Sequence, residues 1–322
     1  DLHSFPTRRS SDLDDASKIM EAFNDCIDSL ADTLENNTEE SDRTVEKLVR
    51  PTSIKNTMSD QGSVNPCFNR QLEKIRSDMF PKLISGWENL SEDKKASLSS
   101  MGNFYCKMHI LVNFAIECDK TLSAFEDIAN MHENSKVILS QSGESGPARL
   151  VRTACKAFHS RGSEEAGVAS HFMSYLNGKN STCYLESFRG NRFNILFYDA
   201  AAVYYHRNHI ADFLEKWPSP NKLLQAVKED LHNKVNIAGI RALGIIDKIV
   251  TGPFWRAINE AGSILDVNPY LHQMKIAFER WCKDASSLLA RECLFDENEI
   301  NIHRDEMYVS LFEDTEDEEL DE

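Results

Sequence analysis

The chain is defined first by what it lacks. Its 322 residues include eight cysteines but no C-x-x-C pair. In a chain long enough to bury its own core, cysteines so scattered read as reduced thiols, not as a disulfide framework or a zinc ribbon. No apolar run approaches the roughly 18 to 20 residues that a bilayer span requires, and no basic start followed by an apolar stretch marks an export signal. The expected location is therefore inside the cell, with no membrane contact. A glycine-rich phosphate loop, a nucleophile elbow and a dinucleotide fingerprint are all missing, which removes the commonest nucleotide- and acyl-transfer classes. No repeat of about 20 to 50 residues is visible either, so a solenoid is not expected.

An apolar content of 41% with 27% charge suits a folded protein with one large core or two modest ones. The net charge of -16 argues against an indiscriminate DNA-binding domain, yet it is unevenly spread. Glu313 to Glu322 carries eight acids and no base, and 296–322 reads as an acidic disordered tail. Gly146 to Ile210 holds eight Lys or Arg against four acids. That segment could face an anion, or simply be a folded region of mixed surface charge. At the other end, "DLHSFPTRRSSDL" shows no apolar period and reads as a translated sequencing adapter, so 1–13 is set aside as artefactual.

From Asp14 the pattern is helical: Ile19, Phe23, Ile27, Leu30 and Leu34 form one stripe. "TSIKNTM" is a short candidate strand. Asn65 and Pro66 then open a helix carrying Phe68, Leu72, Ile75 and Met79, which Pro81 ends or bends. "GNFYCKMHILVNFAI" reads as a buried strand passing into a helix. The polar stretch 131–147, with "SQSGESGP", is the expected linker. Beyond it the chain reads as helix after helix, over 148–161, 171–176, 192–217, 220–231, 234–250 and 269–293, with "TGP" at 251–253 as a stop signal. The expectation is a mostly α protein with an α/β part over 14–130 and a helical domain over 148–295.

Three constellations could carry chemistry. Asp60, just past the candidate strand, could hold a divalent cation, since hard oxygen ligands suit magnesium; a turn aspartate accepting local amides is the plainer alternative. Cys106 and His109 have the spacing of half a zinc site, but neither Cys118 nor His132 completes it, and a buried thiol with a core histidine explains them as well. His206 and His209 lie one turn apart on a helix without the glutamate of a metalloprotease motif, so surface histidines are the expected reading.

In order, "NTMSDQGSVN", "NFYCKMHILVNFA" and "FRGNRFNILFYDAAAVYYHRNHIADFL" resemble the transposases of the hAT-type and related cut-and-paste groups. Their catalytic domain is an RNase H-like fold interrupted by a helical insertion. The resemblance covers roughly Ser53 to Cys293. It implies that Asp60 is the second catalytic acid, that Cys106 and His109 form the Cys-or-Asp-x-x-His motif, and that magnesium or manganese serves two-metal phosphoryl transfer on DNA in the nucleus. The first and third acids are not found, because Glu260 and Glu279 sit in helical segments with no claim to either place. The implied product is a truncated transposase-derived protein, inactive as this chain. Arg149, Arg152, Lys156, Arg161, Arg189 and Arg192 are the candidate DNA-facing cations. The competing expectation is a non-enzymatic helical interaction protein, a host-adopted remnant that binds a protein partner or a second copy of itself.

Overall fold

A computed structural model of the chain describes residues 16–34, 51–59, 64–129, 143–159, 168–188, 194–218, 221–292, 294–295, 300 and 303–313. The protein is mostly helical, and it divides into two compact units, residues 1–106 and 107–322. No helix among the described residues is long and apolar enough to cross a membrane.

In the first unit, helix α1 (Ala16–Leu34) is followed by strand β1 (Asn56–Ser59), helix α2 (Val64–Leu83), a 3-10 turn (Trp87–Asn89), helix α3 (Glu92–Ser99) and strand β2 (Gly102–Tyr105). The stripe on α1 does meet α2, with the Phe23 and Phe68 rings edge to face at 5.7 Å. Pro81 does not end α2, which runs on to Leu83. The strands pair in parallel, Asn56 opposite Gly102 and Ser59 opposite Tyr105. A parallel pair cannot be joined by a tight turn, and here α2 and α3 form the crossover. Arg76, only 2% exposed, ties the crossover to the strand that precedes it. Its guanidinium donates to the carbonyls of Thr52 at 2.8 Å, of Ile54, and of Leu98 at 3.1 Å. One side chain thereby bonds three backbone acceptors, two before β1 and one on α3.

The second unit begins with α4 (His109–Ala129) and continues through α5 (Gly146–Phe158), α6 (Ala169–Gly178), α7 (Ile195–Lys216), α8 (Lys222–His232) and α9 (Lys234–Ile246). A π turn (Asp247–Thr251) leads into α10 (Gly252–Glu260), a 3-10 turn (Ile264–Val267), α11 (Asn268–Trp281), α12 (Ser286–Leu289) and α13 (Glu306–Phe312). Helix α7 is apolar almost all round and runs through the core, with Phe197, Ala201, Tyr204 and Ile210 at 0% exposure. Its close approach to α9 depends on Gly244, where a Cβ would stand 2.9 Å from the Ala201 Cα.

Three boundaries differ from expectation. The units part at Cys106, not at 131–147, because α4 belongs to the helical unit: Leu111 and Ala115 are fully buried there, Asp119 accepts the Ser145 N–H at 3.0 Å, and Glu126 accepts that of Gly146 at 2.7 Å. "TGP" does not stop the helix. The widened π turn, closed by the Gly252 N–H on the Asp247 carbonyl, leads directly into α10, whose first turn accepts Pro253 because the N–H that proline lacks is least needed there. Third, the expected tail is folded over α13, where Met307, Tyr308, Leu311 and Phe312 are buried. Residues 1–13, 131–142 and 314–322 lie outside the described residues.

Candidate functional site

The strand pair positions the first set of expected residues. Ser59 closes β1 opposite Tyr105, and the Cys106 N–H donates to the Ser59 carbonyl at 2.8 Å. The chain therefore leaves β1 toward Asp60 and leaves β2 into Cys106 at one and the same end of the pair. Carboxyl ends of adjacent parallel strands are where open α/β sheets collect ligands, since there the side chains of successive loops converge. Asp60 itself lies outside the described residues. Asn103 braces the pair from below, accepting the Thr57 hydroxyl at 2.7 Å and donating to Glu73 on α2 at 2.8 Å. His109 is not on the strand; it is half-buried as the first residue of α4. Among the described residues no three His, Cys, Asp or Glu side chains stand close enough to hold a metal ion. A magnesium pair thus has no assembled donor set among the described residues.

The expected DNA-facing cations are dispersed in role. Arg149 is 8% exposed and points inward, donating from Nε to Asp230 Oδ2 at 3.0 Å and from Nη2 to Oδ1 at 2.8 Å. Arg152 makes the same bidentate pair with Glu144, at 2.6 and 2.7 Å. Both guanidinium groups are engaged by carboxylates of the same unit. Lys156 is exposed. Arg161, Arg189 and Arg192 lie outside the described residues.

His206 and His209 come together, but not as metal ligands. His206 is fully buried, which corrects the reading of a surface histidine. Its Nε2 accepts the Tyr184 N–H at 3.2 Å, so the proton of the neutral ring sits on Nδ1, 3.5 Å from His209 Nδ1. One nitrogen has its lone pair occupied and the other is protonated, which leaves none for a cation. Burial, with His209 beside it, holds the ring down at about 4. On the same helix Asp199, also fully buried, accepts the Glu186 N–H at 2.9 Å, and burial pushes its carboxyl up to about 7.

A polar cleft of about 400 Å³ was not anticipated; Asn194, Tyr198, Asp247, Lys248, Trp255, Arg256 and Asp305 are among its walls. Lys248 is 6% exposed and donates to Asp305 at 2.8 Å, with Asp247 3.8 Å away. Asp247 accepts from Asn194 Nδ2 at 2.6 Å, and burial raises its carboxyl despite the neighbouring Lys248. Burial lowers the Arg256 guanidinium, opposed by the nearby carboxylates of Asp247, Glu260 and Asp305. The two cations and two acids of the wall balance, so the cleft is built as an internally neutral network that fixes the π turn against α13. One signal was present in the sequence: "IIDKIV" sets an acid and a base inside an otherwise apolar helix.

No family model, curated protein or solved structure matches the chain.

Proposed function

We propose that this chain is a transposase-derived, RNase H-like fragment related to DNA cut-and-paste, with a nuclear site of action, and that it does not cleave DNA by itself. The observation that carries the reading is the parallel β1–helix–β2 unit, in register from Asn56 and Gly102 to Ser59 and Tyr105, the residues that precede Asp60 and Cys106 in the chain. That arrangement supports the order of an acid after one strand and Cys106 beside its parallel neighbour, while the resemblance has the whole Cys-x-x-His motif on that strand and here His109 opens α4. The helical unit beginning at α4 takes the role of the insertion. Asp60 is the one acid assigned to the catalytic set, and two-metal phosphoryl transfer needs several carboxylates on one site.

The purified chain incubated with supercoiled plasmid and magnesium is expected to leave it intact. Nicking that disappears in Asp60→Ala would overturn the inactivity and strengthen the ancestry; nicking that survives in Asp60→Ala would overturn the site assignment.

A second reading is favoured by the inward-turned Arg149 and the paired Arg152: a helical interaction protein that binds a protein partner. In that case the chain shows no salt-dependent affinity for duplex DNA.

A further inference from the structure

The cleft beside the π turn is walled from four places in the helical unit: the start of α7, the π turn itself, α10, and Asp305, which caps α13. Its volume of about 400 Å³ lies in the range of pockets that hold small molecules. A π turn inside a helical run is uncommon, and such turns are frequent at functional sites.

The charges of the wall are already matched to one another. Lys248 is held by Asp305 at 2.8 Å with Asp247 at 3.8 Å, and the carboxylates of Asp247 and Asp305 act on Arg256. An anion entering the cleft would compete with these carboxylates for their cations, and a cation would compete with Lys248 and Arg256 for their acids. A neutral molecule disturbs neither set. Tyr198 and Trp255 provide the aromatic part of the lining, and flat rings pack well against flat rings. Burial and the surrounding carboxylates push the Tyr198 hydroxyl up, so that ring stays uncharged.

The open polar group of the wall is an acceptor. The Asp305 side chain is 31% exposed, against 5% for Asp247 and 6% for Lys248. Asp305 Oδ1 accepts the Tyr308 N–H at 2.8 Å and Oδ2 accepts from Lys248 at 2.8 Å. A carboxylate offers about four lone-pair sites, so each oxygen keeps one for a further donor. Asn194 adds to the surplus of acceptors: its Nδ2 is spent on Asp247, and its Oδ1 is buried with no hydrogen-bond partner among the described residues.

We propose that this cleft binds a neutral, planar heteroaromatic molecule bearing an N–H donor, its ring against Tyr198 and Trp255 and its N–H on the Asp305 carboxylate. The cleft lies wholly in the helical unit, so this ligand stands or falls separately from the function proposed above.

The test uses the full chain labelled with nitrogen-15. Its four tryptophans give four indole N–H resonances, and that of Trp255 is assigned by its loss in Trp255→Phe. The probes are indole, 1-methylindole, which has the same ring without the N–H, and indole-3-carboxylate, which adds a negative charge. The expected result is a saturable shift of the Trp255 resonance by indole, with 1-methylindole and the carboxylate each about tenfold weaker or worse. Asp305→Asn, which retains a capping side chain, should bring indole down to the level of 1-methylindole. Should that variant fail to fold, the three probes on the wild-type chain decide alone. Equal binding of indole and 1-methylindole, or an undiminished preference for indole in folded Asp305→Asn, would overturn the hydrogen bond to Asp305. Tightest binding by the carboxylate would overturn the neutral ligand. A Trp255 resonance that responds to none of the probes would overturn the site.

Discussion

Arg149 offers a sharp division between structural and ligand-facing roles. Its replacement by methionine keeps the length of the side chain and removes the charge that Asp230 receives. The guanidinium makes two bonds at 3.0 and 2.8 Å to a carboxylate that is 8% exposed and that also accepts from the Asn236 amide at 3.3 Å. Breaking one member of such a pair leaves a buried charge without compensation and costs about 3 to 5 kcal/mol. For a unit of this size that is a loss of about 6 to 20 °C in melting temperature. Burial already raises the Asp230 carboxyl, with Arg149 as the main opposing influence. Without Arg149 it rises further, so the folded state holds a proton more tightly than the unfolded chain. The loss is then greatest at high pH and shrinks as pH falls through the elevated range of Asp230. The double variant Arg149→Met with Asp230→Leu removes both charges and is expected to recover most of the stability. Urea unfolding at several pH values measures all of this. A single variant that loses less than about 1 kcal/mol while losing DNA affinity would refute the reasoning and return Arg149 to the ligand-facing set.

Asp199 and His206, two turns apart on α7, are expected to oppose one another. Asp199 rises from 3.8 to about 7, so it favours the unfolded state increasingly as pH rises through that window. His206 falls from 6.5 to about 4, so the stability of its neutral form is lost as pH falls through that window. Between these limits the two nearly cancel in the wild type, whereas Asp199→Asn exposes a stability that rises with pH and His206→Gln one that falls, each by up to about 1.4 kcal/mol per pH unit; parallel pH profiles for both variants would contradict the assignments. Gly252→Ala places a Cβ 2.7 Å from the Asp247 carbonyl and should cost about 1 to 3 kcal/mol, read by thermal unfolding, with no change at all speaking against the π turn. Arg76→Met strands the Thr52, Ile54 and Leu98 carbonyls, each on the order of 1–3 kcal/mol, and should speed amide exchange in β1 and β2 while leaving α7 and α9 protected.

The helices were legible because their apolar stripes are long. Ile19 through Ile27, Phe68 through Met79 and the run from Ile237 to Ile249 each repeat often enough to fix a period. The two strands were only half legible, since four residues cannot establish an alternation and their pairing depends on a crossover of the 42 residues between Ser59 and Gly102. Helix α13 escaped because its apolar face occupies barely two turns before the acids begin. Long-range partners were the least visible: nothing near Arg149 in sequence points to Asp230, and nothing near Lys248 points to Asp305. A cation count along the chain therefore located positive charge without showing where it was already neutralised.

The π turn makes chain length, as well as chemistry, a constraint between α9 and α10. Deleting one residue from 247–251 would remove the widened turn and put α9 and α10 on one ordinary helical period. Every later side chain of α10 would then be rotated by about 100°. Phe254, at 0% exposure, and Ala257, at 4%, would leave the core, and Pro253, now in the first turn of α10, would fall inside a continuous helix, where proline is disruptive. Single-residue insertions and deletions in this stretch should therefore be far more damaging than conservative substitutions at the same positions, a contrast that a deletion scan would display as a sharp local minimum in recovered folded protein.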